Sequence, residues 1–218
     1  MFIGHFALGF ALKRVAPKTN LGWLIASVEF LDLVWPILIL LGVERVEVDP
    51  GNTVFTPLNF VSYPYSHSLV AAVVWSILFG GVYYAVSRYR TGALVVAAGV
   101  LSHWFLDLIV HRPDLQLYPG GSGKFGLGMW NSLAATMIVE AIMFVAGVWL
   151  YVSMTKPRDA IGRWGLSLFV LFLVIVYQAN AFAPPPPSST AVGAAALCIW
   201  LLPFWAGWAD AHRTSEPG

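Results

Sequence analysis

The chain is expected to fold as an all-α, polytopic transmembrane helical bundle, with six spans and a short N-terminal membrane-associated helix in one integral membrane domain over residues 1–218. Composition is the first ground: 58% of the residues are hydrophobic and only 11% charged, with a mean hydropathy of +0.73, outside the range of soluble domains. Segment length is the second, because six apolar stretches approach or exceed the roughly 20 residues a helix needs to cross the hydrocarbon core. The third is charge placement, since Lys and Arg recur at alternate connections.

Met1 to Leu12 is apolar but too short to span, and Lys13, Arg14 and Lys18 follow it rather than precede it, which argues against a cleaved signal peptide. It reads as a helix that enters the membrane part way or packs on the bundle. The spans follow at about 19–43, 66–87, 91–111, 131–155, 160–183 and 190–212. Basic residues at 13–18, at Arg88 and Arg90, at Lys156, Arg158 and Arg163, and at Arg213 mark one set of ends as cytoplasmic, the C-terminus among them. The opposite loops, 44–65 and 112–130, are rich in Pro, Gly and aromatic residues and read as ordered covers that can form a lid. In the first span, Pro36 is expected to kink the helix and free the carbonyl of Asp32, four residues earlier.

A formal charge of +1, from 12 Lys+Arg against 11 Asp+Glu, excludes the basic field that nucleic-acid binding requires. One cysteine, Cys198, excludes an intramolecular disulfide and a Cys-based zinc cluster, so any metal must be held by His, Asp or Glu. Such residues stand where they are costly. Glu29 and Asp32 lie in the first span, His103, Asp107 and His111 in the third and Glu140 in the fourth; His67 opens the second and His5 sits in the N-terminal helix. Intramembrane ionisable groups face a bundle interior or a watery cavity. At a rise of about 1.5 Å per residue, Glu29 and Asp32 come about 15 and 20 Å above the inner face, His103 and Asp107 about 18 and 24 Å, and Glu140 about 18 Å. Separate helices therefore carry polar groups to one depth range, between midplane and outer interface.

Angular position agrees. His103, Asp107 and His111 are spaced i, i+4, i+8 and share one helix face, where an H-x-x-x-D pair makes a two-point metal chelate. Glu29 with Asp32, and Ser132 with Thr136 and Glu140, form two further single-face polar stripes. The simpler alternative for His103 and Asp107 is a hydrogen-bonded pair that fixes packing, at considerable desolvation cost. His67 is either an interfacial residue capped by Ser66 or a ligand or catalytic group.

Gly4-His5, Leu31-Asp32-Leu33 with Pro36, Tyr65-Ser66-His67-Ser68, and Leu101-Ser102-His103-Trp104-Phe105-Leu106-Asp107 resemble the G-H, P-D-x-D-H-P, T-H-S and S-H-x-x-x-D motifs of the YdjM-like inner-membrane proteins. The resemblance covers residues 1–155 as a metal-site core and leaves 156–218 as two additional transmembrane helices. It implies a bacterial inner-membrane, metal-dependent hydrolase. Departures occur in the second motif, where Leu31, Val34 and Trp35 replace its first Pro, second Asp and His. A site that elsewhere takes two metals therefore takes one here, or Glu29 substitutes.

Together these readings nominate His5, Asp32, His67, His103 and Asp107 as metal ligands, zinc first, with manganese and iron open. Glu29 and His67 are candidate catalytic groups, Glu29 standing between general base, ligand and packing residue. Glu140, Ser66, His111 and Arg112 are candidates for steering ligands or contacting substrate, with Glu140 expected to steer an imidazole or balance a charge. Depth points to a membrane lipid or lipid-linked phosphoester as substrate. An ion- or proton-coupled transporter using the same groups is the second reading, opposed by spans whose cytoplasmic halves read as almost purely apolar. A non-catalytic protein with a structural metal is the third.

Overall fold

A computed structural model describes residues 1–215 of the chain. Helix α1 (Ile3–Leu12) is followed by a bent pair, α2 (Leu21–Val28) and α3 (Phe30–Leu40), that are together long and apolar enough for one span. Strands β1 (Arg45–Val48) and β2 (Leu58–Ser62) form an antiparallel hairpin ahead of the single turn α4 (Pro64–His67). Spans α5 (Leu69–Ser87) and α6 (Arg90–Val110) come next, then a second small ribbon of β3 (Leu115–Gln116) and β4 (Lys124–Phe125). Span α7 (Leu133–Met154), strand β5 (Thr155–Pro157) and span α8 (Ala160–Phe182) lead to the last span. This runs from Ser189 to Ala211 as α9 (Ser189–Ala196), a 3-10 turn and α10 (Leu201–Ala211), and β6 (Arg213–Ser215) then pairs with β5. Among the described residues five helices are thus long and apolar enough to cross a membrane, or six with the bent pair counted as one span.

One local expectation is corrected, and the first span carries a bend away from Pro36. The 56° bend of the first span falls between α2 and α3, at Glu29, and α3 continues helical through Pro36. The break has no Pro or Gly to announce it; there the Val28 carbonyl accepts from His103 Nδ1 at 2.7 Å. At the second span the cap is Ser68, whose hydroxyl accepts from Ala71 N–H at 3.2 Å, while Ser66 ends in the separate turn α4, which Pro64 opens.

Loop ends gather as the alternation of charge requires. At the basic end, Lys13 Nζ reaches Asp210 Oδ2 at 2.7 Å, Tyr151 donates to Asp210 Oδ1 at 2.6 Å, and Arg213 donates to Thr155 and to the Gly162 carbonyl. Asp210 was not among the sequence candidates, so this end is less apolar than expected. Fully buried Phe6, Phe10, Leu24, Ile25 and Phe169 fill the layer between these groups and the histidines. At the other end the two ribbons cover the bundle, joined by Phe55 N–H to the Trp130 carbonyl (3.0 Å) and by Arg112 Nη2 to Asn59 Oδ1 (2.5 Å). The ordered covers expected of both loops are therefore present, as short β-hairpins.

Candidate metal centre

Four elements bring ionisable groups together beneath the covers. Helix α6 supplies His103 and Asp107 from one face and stops at His111, just before the Arg112-Pro113 pair, where a residue preceding proline leaves the helical region. Helix α3 supplies Asp32, α4 supplies His67 and α1 supplies His5. All but Asp32 are almost entirely buried.

The centre of the cluster is Asp107 Oδ2, with His103 Nε2 at 3.2 Å and the Nε2 atoms of His67 and His111 each at 3.7 Å. Asp32 stands opposite, with Oδ1 3.3 Å from His67 Nε2 and Oδ2 3.8 Å from His103 Nε2. Tetrahedral donors at about 2.0–2.1 Å from a zinc ion are separated from one another by roughly 3.3 Å. The His–carboxylate distances here, 3.2 to 3.8 Å, are near that, and the sets whose donors all lie within 4.8 Å of one another have three members each.

What the other ring nitrogens do decides the character of the site. His103 Nδ1–H donates to the Val28 carbonyl, 2.7 Å away. For His67, the hydroxyl of Ser66 donates to Glu44 Oε2 at 2.6 Å, so its oxygen is left to accept from His67 Nδ1–H at 2.7 Å. At His111, Nδ1–H donates to Asp114 Oδ1 at 3.0 Å, the oxygen that also accepts from Tyr63 at 2.5 Å. Burial beside that carboxylate pushes the Tyr63 phenol well above its ordinary pKa and keeps it a donor. In their neutral form these three imidazoles would present bare Nε2 lone pairs to carboxylate oxygens, acceptor against acceptor. His103 Nε2 is buried with no hydrogen-bond partner. Only protons or a cation between these atoms relieves the repulsion, and ring orientation by an acceptor on Nδ1 is the usual support of a metal ligand.

His5 is arranged the other way round. Its Nε2 meets Asp107 Oδ1 at 3.0 Å, its Nδ1 has no partner, and its ring stacks on His103 with centroids 3.8 Å apart. The same Oδ1 accepts from the Met1 amino group at 2.5 Å. Two sets of donors lie close enough to share an ion, His5 with His103 and Asp107, and Asp32 with His67 and His103. Since His103 has one free nitrogen, these are two halves of one cluster rather than two independent sites. The buried His and Asp groups can hold a metal ion.

The remaining sequence candidates fall around this centre. Ser66 touches His67 directly. Glu140 touches no imidazole; its Oε2 accepts from the N–H groups of Phe2 and Gly4 at 2.9 and 3.1 Å, holding the start of α1 from across the bundle. Glu29 is fully buried at the break with both oxygens unpartnered. Arg112 ties β2 to the end of α6, with Asn59 on one side and Asp114 Oδ2 3.5 Å away on the other. Ser132 and Thr136 are used at the start of α7, as cap and as donor to the Met129 carbonyl. Sequence reading missed Glu44 and Tyr63, whose place behind the histidines depends on loop geometry, and grouped Asp114 with His111 and Arg112 only as an outer-rim polar cluster.

A match to the YdjM inner membrane protein family runs over residues 1–183. The chain belongs to that family. No curated protein and no solved structure matches it significantly. As a YdjM family member it is an inner-membrane protein, and the match continues past residue 155 through α8. Every residue of the cluster falls inside the matched region.

Proposed function

We propose that this YdjM family member is a membrane-embedded metal-dependent hydrolase acting on a lipid or lipid-linked phosphoester from the outer-leaflet side. The observation that carries the reading is the shared commitment of His67, His103 and His111: each spends Nδ1–H on a protein acceptor and turns Nε2 toward Asp107. Asp32, His67, His103 and Asp107 would hold a divalent cation, zinc by preference, and His5 would steady Asp107 through its second oxygen. Bound there, such an ion lowers the pKa of a water and polarises the ester or phosphoryl oxygen under attack.

The protein's own groups supply binding, orientation and exclusion of water. Asp32, His67, Asp107 and His111 line one cavity together with Phe55, Phe60 and Trp130 from the covers. Glu29 is not among the cavity's lining residues, which favours a carboxylate that balances buried charge over one that meets substrate. A transporter needs a polar route across the bundle, and the Phe6, Phe10 and Phe169 layer speaks against one. The side on which the site opens is proposed from the excess of Lys and Arg at the opposite ends. In proteoliposomes, hydrolysis of a phospholipid should stop with a chelator, return with zinc and be absent in His103→Ala. Turnover indifferent to chelation would contradict the proposal, and retained metal without turnover of any lipid would favour a structural metal.

A further inference from the structure

The cavity does not end at the histidines. It has a volume of about 570 Å³, within the ordinary range for small-molecule sites, and continues between α8 and the last span. Phe172, Val176, Ala179, Asn180 and Ala183 line it on α8, and Ala191, Ala195, Cys198, Ile199 and Leu202 on the facing span. The first set falls at i, i+4, i+7, i+8 and i+11, a single stripe, and with Val192 and Ala196 the last span presents a broader helical face.

The two helices pack at the basic end, where Trp205 Nε1–H donates to the Gly165 carbonyl at 3.0 Å and its ring meets Phe169 and Phe172 at 5.5 and 5.6 Å. Above Phe172 each leans on a different neighbour. Tyr177 donates to the Thr136 carbonyl at 3.3 Å and holds α8 on α7. Trp200 Nε1–H donates to the Leu33 carbonyl at 3.0 Å and holds the last span on α3, with Gly193 against Leu40. The gap left between them is lined mainly by small and apolar side chains, with Asn180 as its polar exception, and no Lys or Arg lines it among the described residues.

From this geometry we infer that the gap between the fifth and sixth spans is a lateral port, through which the hydrocarbon chain of a lipid runs while its ester or phosphoester rests at the His and Asp cluster. The inference deepens the hydrolase reading and rests on it for the placement of the head. A soluble phosphate ester fits poorly, because one wall is apolar and no side-chain cation receives a second charge. A single-headed amphiphile matches both ends of the cavity.

The test needs no turnover. The protein in proteoliposomes is irradiated with phosphatidylglycerol, whose phosphodiester carries a single charge, bearing a diazirine at the tip of one acyl chain, and labelled residues are mapped. Label should concentrate in 172–183 and 191–202, and Ala195→Trp, which fills the gap away from the cluster, should reduce it severalfold without loss of bound metal. Ala179→Trp serves from the opposite wall should the first variant fail to fold. Label spread over the lipid-facing sides of α5 and α7 without enrichment, or enrichment unmoved by either substitution, would overturn the port. Enriched labelling with no hydrolysis would instead sink the hydrolase reading and leave the port standing.

Discussion

Glu44 is 3% exposed, in the loop before β1, and accepts from the N–H groups of Tyr65 and Ser66 at 2.8 Å each and from the Ser66 hydroxyl at 2.6 Å. Through Ser66 it fixes which nitrogen of His67 is protonated. Substituting Glu44→Gln should weaken zinc binding about 10- to 100-fold, as loss of an outer partner does, with the helical fold intact by circular dichroism. Unchanged affinity in a chelator competition would show that His67 is oriented by something else. His103, Asp107 and His67 were legible in the sequence, because an ionisable group in an apolar span is conspicuous and a four-residue spacing fixes a shared face. Glu44 and Tyr63 were not. They sit in loops among other polar residues, and only the folded path of the chain puts them behind a histidine.

Helices meet closely where α1 crosses α7. A Cβ on Gly147 would lie 2.2 Å from the Ala7 carbonyl oxygen, a backbone atom with no room to move aside. Gly147→Ala should therefore cost about 1–3 kcal/mol in detergent unfolding, and should weaken metal binding as α1 carries His5 away. Gly81, with nothing within 4 Å of a built Cβ, is the control, and Gly81→Ala should leave both unchanged. An equal effect at both positions would contradict the close approach. At the start of α8, Asp159 accepts from Gly162 N–H at 2.9 Å and meets His212 Nδ1 at 2.7 Å, which hold its carboxyl below the usual value. A depressed pKa gives stability that is present above the unfolded value and lost as pH falls through the folded one. The advantage of the native chain over Asp159→Asn should thus be constant from neutral pH down to about pH 4 and vanish below it; a constant advantage at all pH values would show a cap without charge. Apolar length gave the six spans, whereas the bend at Glu29 left no trace in composition.

Across the whole molecule, two buried polar clusters sit at opposite ends of an aromatic and aliphatic core. The basic one ties α1, α7 and the last span through Lys13, Tyr151 and Asp210. Asp210→Ala would leave the Lys13 ammonium buried without its carboxylate, so a loss of about 3–5 kcal/mol is expected, read as a lowered unfolding midpoint. A shift no larger than that of an exposed substitution would mean the clamp is ornamental. Alternating charge made the two-ended arrangement readable, but the hairpin covers and the gap between α8 and the last span needed the fold. The other cluster carries the functional proposal, and elemental analysis of the purified protein at neutral pH tests it most directly. About one divalent ion per chain is expected, absent from His103→Ala; a clean, folded preparation holding no metal would contradict the account.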